Sequence, residues 1–363
     1  MILFRATSHH QLMNAIAIKF QYCPGEEADL MLSNHTDFSA ILDNVVATGI
    51  FRKVYYVDDK KVSKTFISLD KQKRFIFSRN VHDFWETELD VEYTDYYYGH
   101  NILANKLYYY YLVKKQGNIV PHSFQEGASS YMADMWKIGT GDCLDHTYYK
   151  DKSLLAMIKD MYMYLPDKLL FTSKVPVCPI NINSDRLREV IKQIYSPPPL
   201  PSQQFIYIAL CSEYQGVSSN EVEILDKIAD IVGKENIAIK NHPRCDIDKY
   251  TYRGYYVMDS SIAMEAYMLD PEIKKKILIA PLSTSLISAT FLLDDYNAII
   301  IRDLIRCDLS QFINKDSMSC FLKSIADTTD TEDGKICMHY AKDIERFAEL
   351  IKYLKGCRKL NEQ

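Results

Sequence analysis

The chain has 363 residues, of which 47% are hydrophobic and 25% charged, with a net charge of -5 at pH 7 and a mean hydropathy of -0.20. This length exceeds one ordinary hydrophobic core, so two domains are expected, and the composition is that of a soluble globular protein rather than a membrane-resident or disordered one. The acidic balance and a sequence pI near 6.0 exclude a nucleic-acid partner, which needs a basic footprint to neutralise phosphates.

In chain order, the apolar run Ile2 to Phe4 reads as a strand. Ser8-His-His-Gln11 follows as a capping box, and Leu12, Ile16 and Phe20 fall at helical spacing, which completes a βα unit. Lys53 to Val57 and Gly117 to Val120 read as further short buried strands, far enough apart for helical crossovers and hence for a parallel sheet. Ser184 opens an amphipathic helix through Leu187, Val190, Ile191 and Ile194, which stops at Ser196-Pro-Pro-Pro-Leu-Pro-Ser202. Proline neither continues a helix nor donates to a sheet ladder, so this run is the expected linker. A second series follows: strand Phe205 to Leu210, a helix capped by Ser218 with Glu221 at the box position, and strands Ile237 to Ile239, Lys276 to Ala280 and Ala298 to Ile301. Asp327 to Lys335 reads as an acidic loop and Ala341 to Leu354 as a helix. The expected domains are 1–196, 203–340 and a C-terminal helix over 341–363.

Nine scattered cysteines without a C-x-x-C pair predict reduced cytosolic thiols and no zinc site. Met1-Ile-Leu-Phe-Arg-Ala lacks the features of a signal peptide. The apolar stretch Ile277 to Leu293 is broken by Pro281 and by Ser283, Thr284, Ser285 and Ser288, so membrane contact is at most peripheral. The 27 tyrosines crowd at Tyr93 to Tyr98 and Tyr108 to Tyr111, where core packing competes with a sugar-stacking platform.

Three strand ends carry the chemistry. His122-Ser-Phe-Gln-Glu126-Gly127 offers a carboxylate followed by a glycine that lets the backbone turn sharply. Lys240-Asn-His242-Pro243-Arg244 delivers a histidine held by a proline, with Lys240 and Arg244 beside it to face a phosphate. Pro281-Leu-Ser283-Thr284-Ser285 opens a helix, where hydroxyls and unpaired N–H groups make an anion site or, more plainly, an N-cap.

In this order and spacing the motifs resemble those of the bacterial sialyltransferases of glycosyltransferase family 52 and their polysialyltransferase relatives, whose active cleft is marked by an acidic-acidic-glycine motif, a His-Pro motif and a serine-rich motif. The opening βα unit and Ser260-Ser-Ile-Ala-Met-Glu265-Ala-Tyr add to the likeness, which spans roughly Met1 to Leu293. Gln125 departs from it by standing at the first acidic position. The resemblance implies an α/β fold of two Rossmann-like domains facing across a cleft, the GT-B type, with CMP-sialic acid held by the C-terminal domain and neither metal nor cofactor. Asp246-Ile-Asp248, the one D-x-D near the motifs, reads as a solvated loop.

By the same resemblance His242 serves the leaving phosphate, the Ser283-Thr284-Ser285 turn holds it, and Glu265 contacts the ribose. The base that deprotonates the acceptor is Glu126, followed by Gly127, or Glu213 in Cys211-Ser-Glu213, with Glu126 favoured. The expected partners are a CMP-sugar donor and a glycan acceptor ending in galactose, in lipooligosaccharide or capsule, on the cytoplasmic side of the membrane; a homodimer stays open. The alternatives are a related donor, such as CMP-Kdo or another nonulosonate, and a non-catalytic glycan-binding or capsule-assembly protein.

Overall fold

The computed structural model describes the chain apart from residues 67, 79–88, 100–101, 139–151, 183, 211–217, 243–247, 282, 294, 308–314, 327–336 and 362–363, and describes the backbone alone at 137–138, 248, 315–316 and 357–361. The chain divides into two compact units, Met1–Tyr195 and Ser196–Gln363. Ser196 takes a positive φ of 41° as the proline run begins.

Unit 1 is a seven-stranded parallel sheet of β1 (Ile2–Ala6), β2 (Ala28–Ser33), β3 (Val54–Val57), β4 (Asp95–Tyr98), β5 (Val120–Phe124), β6 (Met161–Met163) and β7 (Val177–Pro179), in the order β3-β2-β1-β4-β5-β6-β7. The helices are α1 (His9–Tyr22), α2 (Leu42–Ala47), α3 (Asp59–Thr65), α4 (Leu69–Phe77), α5 (Leu103–Gln116), α6 (Ser129–Met132), α7 (Met135–Ile138), α8 (Leu154–Met157) and α9 (Asp185–Tyr195). A parallel strand covered on both faces must be apolar throughout, and all five residues of β1 are buried, Arg5 included. Arg5 is tolerated there because Asp59 pairs with it, Asn105 accepts from it, and the ring of Tyr108 lies 4.2 Å below the guanidinium. Ser8 caps α1 by accepting from the Gln11 amide.

The tyrosine runs are core. Tyr96 and Tyr98 stack at 5.6 Å, and Tyr108 to Tyr111 are all buried against them on α5. That decides against the sugar platform. Two boundaries also differ from expectation. The Gly117 strand begins at Val120, because Gly117, at φ 91°, terminates α5, and His122 therefore sits inside β5 rather than beyond it.

Unit 2 is a six-stranded parallel sheet of β8 (Phe205–Ile208), β9 (Ile237–Lys240), β10 (Tyr256–Val257), β11 (Ile277–Ala280), β12 (Ala298–Ile300) and β13 (Met338–Tyr340), in the order β10-β9-β8-β11-β12-β13. Its helices are α10 (Glu221–Val232), α11 (Asp248–Thr251), α12 (Met264–Met268), α13 (Thr284–Leu292), α14 (Lys315–Ile325) and α15 (Ile344–Asn361). The expected Ser218 cap is not formed: Asn220 is the residue before α10, and Glu221 turns inward, its carboxylate accepting from the Leu210 amide at 2.6 Å and from Tyr207 Oη. α15 places Phe347, Leu350, Ile351 and Leu354 in the core of unit 2, so the terminal helix is part of that unit. The expected acidic loop lies outside the described residues. Among the described residues, no helix is long and apolar enough to cross a membrane.

Both sheets follow the winding 3-2-1-4-5-6, in which the chain reverses direction between the first and fourth strands. Ligands of such sheets lie outside the carboxyl ends of the strands at that reversal. The reversal falls between β1 and β4 in unit 1, and between β8 and β11 in unit 2.

Candidate functional site

In unit 1, the carboxyl edge at the reversal is made by Thr7, His10 and Gln11 after β1 and Gly99 after β4. Gln11 accepts from the Thr7 amide at 2.8 Å and from the Thr7 hydroxyl. Its side chain lies so close to Gly99 that a Cβ there would meet Gln11 Cδ at 2.5 Å. Next to β4, β5 ends in Gln125 and Glu126. Gln125 is buried with its groups engaged: its amide N–H donates to the Tyr162 carbonyl, its carbonyl accepts from Asn14 Nδ2 at 2.7 Å, and its side-chain oxygen accepts from Tyr131 Oη and the Tyr164 amide. Its Nε2 lies 3.3 Å from His10 Nε2. This network fixes the backbone one residue before Glu126. Glu126 itself is half-buried, with Ser129 Oγ donating to Oε1 at 2.5 Å and its amide donating to Ser130 Oγ. Gly127 is buried beneath it.

His122 does not join this edge. Its Nδ1 is 2.7 Å from Asp160 and its Nε2 is 2.9 Å from Asp95, at the start of β4, and its ring stacks on Tyr97 at 4.2 Å. Two carboxylates on the two ring nitrogens require both to donate, which is the imidazolium form. Burial opposes that charge, but the hydrogen bonds that the ring donates to Asp160 and Asp95 outweigh it and raise the pKa.

In unit 2, β9 ends in Lys240, Asn241 and His242. Lys240 is buried, and its ammonium donates to the Asp259 carbonyl at 3.0 Å. Burial lowers its pKa to about 8, against the opposing pull of Glu265 and Asp259. Lys240 therefore faces inward to the Asp259 turn. His242 is half-buried, and its amide donates to the Asn241 side chain at 2.9 Å. Beside the reversal, Ser283 caps α13 by accepting from the Ser285 amide, and both serines and Thr284 are partly exposed. One turn further on, Ser288 donates to Glu265 Oε1 at 3.0 Å and to the Thr284 carbonyl. Glu265, on α12, is thus joined to the α13 cap through a buried hydroxyl that the sequence motifs do not single out. Glu213, Pro243, Arg244 and Asp246 lie outside the described residues, as does the side chain of Asp248.

Among the described residues, no cluster of three or more His, Cys, Asp or Glu side chains is grouped as a metal site. Lys240, His242, Glu265 and the Ser283 turn belong to one unit and Glu126 and Gly127 to the other. His10, Gly99 and Ser288 are the additions the structure makes; of these only Gly99, directly after the tyrosine strand, carries a sequence signal, since glycine at a strand end marks a close approach.

No family model matches the sequence, and no curated protein matches it. Among solved structures, the α/β-galactoside α-2,3-sialyltransferase of the luminous marine bacterium Photobacterium phosphoreum is similar over 93% of this chain and 98% of its own, with a TM-score of 0.52 at 10% identity. The wall teichoic acid polymerase TagF is similar at a TM-score of 0.48 and 12% identity, over 99% of this chain and 81% of its own. An Arabidopsis thaliana protein complexed with UDP-L-rhamnose gives 0.47 at 9% identity, over 96% and 88%. The fold is therefore an α/β fold of two parallel-sheet units, the GT-B type shared with that sialyltransferase.

Proposed function

We propose that this chain is a metal-independent, inverting glycosyltransferase that moves sialic acid from CMP-sialic acid to a terminal sugar, galactose by expectation, of a cell-surface glycan such as lipooligosaccharide or capsule. The observation that carries the reading is where the motif residues lie. Glu126 follows β5, His242 follows β9 and the Ser283 turn follows β11, each at the carboxyl edge of its sheet, at the reversal or one strand from it, where doubly wound folds bind ligands. Glu265 on α12 joins the Ser283 helix through Ser288. The motif order and the fold shared with a sialyltransferase support it.

In this reading unit 2 holds the nucleotide. The Ser283-Thr284-Ser285 turn, with its amides and the positive end of α13, binds the single phosphate. Glu265 accepts from a ribose hydroxyl, and His242 donates a hydrogen bond or proton to the phosphate oxygen as it departs. Glu126 takes the proton from the acceptor hydroxyl while that oxygen attacks the anomeric carbon. The bond from that carbon to the phosphate oxygen breaks, CMP carries away the electron pair, and configuration inverts in one displacement. Glu213 is the alternative base. Gln125 takes nothing from this set, because its buried amide oxygen is already engaged by Tyr131 and Tyr164.

Calorimetry with CMP tests the nucleotide half of the reading. Wild type should bind CMP, and Glu265→Gln and Ser283→Ala/Ser285→Ala should each weaken binding by about tenfold, the size of a lost charge-assisted hydrogen bond. Unchanged affinity in both variants would contradict it.

A further inference from the structure

One face of unit 1 combines dense positive charge with exposed apolar side chains. Lys60, Lys61, Lys64 and Lys71, from α3 and α4, line a cleft of about 420 Å³ beside Asn34 and Asp58. The segment 58–78 holds six basic residues against three acidic ones, in a chain whose net charge is -5. One of the three, Asp59, is buried on Arg5.

α4 adds the apolar part. Its inward face is fixed: Gln72 donates to the Phe66 carbonyl, Phe75 packs edge-on against Phe66, and Lys114 caps the helix end by donating to the carbonyls of Phe75, Ile76 and Ser78 at 2.6, 2.7 and 2.9 Å. Leu69, Lys73 and Phe77, spaced by four residues, must then share an outward stripe. Leu69 is 56% and Phe77 70% exposed.

We propose that this face docks on an anionic phospholipid surface, with the lysines taking headgroup phosphates and Leu69 and Phe77 entering the interfacial layer. A helix with basic residues beside an exposed apolar stripe has the composition of an interfacial anchor, and clustered lysines are drawn to anionic leaflets. A soluble phosphate would use the lysines but has no need of Leu69 and Phe77. The cleft follows β2 and β3, on the same carboxyl edge as Glu126 and three to four strand spacings, about 14–19 Å, from β5. Docking would bring that edge near the membrane in which a lipid-linked glycan is anchored. Only this last link rests on the transfer reading; the docking itself does not.

Co-sedimentation of the full chain with vesicles tests the proposal, using mixed phosphatidylglycerol/phosphatidylcholine against pure phosphatidylcholine. The protein should pellet with the mixed vesicles alone, and less so as salt rises. Lys60→Gln/Lys64→Gln/Lys71→Gln should lower partitioning on the order of a hundredfold, about fivefold per cation. Leu69→Ser/Phe77→Ser should lower it roughly tenfold at unchanged charge. Equal binding to pure phosphatidylcholine, or either variant partitioning like wild type, would overturn it. So would a cleft that binds inorganic phosphate by calorimetry while the Leu69/Phe77 variant keeps full vesicle binding, since that describes a site for a soluble anion.

Discussion

Glu126 is a carboxylate whose carrier is fixed more firmly than the group itself, since the buried network on Gln125 sets the backbone and only the half-buried side chain reaches outward. Glu126→Gln keeps that shape while removing proton acceptance, so turnover should fall by roughly a hundred- to ten-thousandfold with CMP affinity unchanged. Steady-state transfer rates set beside CMP calorimetry check this, and a variant near full turnover would move the base to Glu213. His122 carries the opposite lesson. Its raised pKa means that its charge stabilises the fold fully below the unfolded value of about 6.5, and that this contribution is lost as pH rises through the elevated folded value. His122→Gln should therefore cost most melting temperature in mildly acidic buffer and little in alkaline buffer, as differential scanning calorimetry at the two pH values would show. An equal cost at both would mean that the imidazolium is not what stabilises the site. Sequence shows a histidine four residues before a candidate base; it cannot show that Asp95 and Asp160, 27 and 38 residues away, claim both ring nitrogens.

At the scale of elements, continuous apolar runs were readable wherever they were bounded: Ile2 to Phe4, Lys53 to Val57 and the strands of unit 2 lie on β1, β3, β8, β9, β11 and β12. β2, β4, β6, β7, β10 and β13 were not. β4 is built from Asp95 and three tyrosines, a polar-looking string that the fold buries, with the Tyr96 hydroxyl donating to the Asn105 carbonyl and the Tyr97 hydroxyl accepting from Cys23. β6, β7 and β13 have three residues each and β10 two, and unlike the equally short β12, which continues an Ala-Ile-Ile-Ile run, none of them carries a run of branched aliphatic residues to mark it. Where β4 meets α1, Gly99 is required by the approach of Gln11. Gly99→Ala must push Gln11 off Thr7 and should destabilise unit 1 by about 1–3 kcal/mol. Urea unfolding measures it, and an unchanged midpoint would show that Gln11 can yield freely.

The whole molecule repeats one winding in two units, and a transferase has two ligands to hold, a donor and an acceptor. The single phosphate expected of a CMP-sugar needs less positive charge than a diphosphate, and among the described residues of unit 2 Lys240 turns inward while the Ser283 turn offers serine hydroxyls and helix amides beside His242. The assignment is tested most directly by mass spectrometry of a panel of galactosides incubated with the full chain, CMP-sialic acid and excess EDTA. The account predicts a product heavier by one sialyl residue, formed at the same rate with and without chelator. Product that forms only when magnesium or manganese is restored, or CMP binding with no transfer from any CMP-nonulosonate to any acceptor, would contradict it.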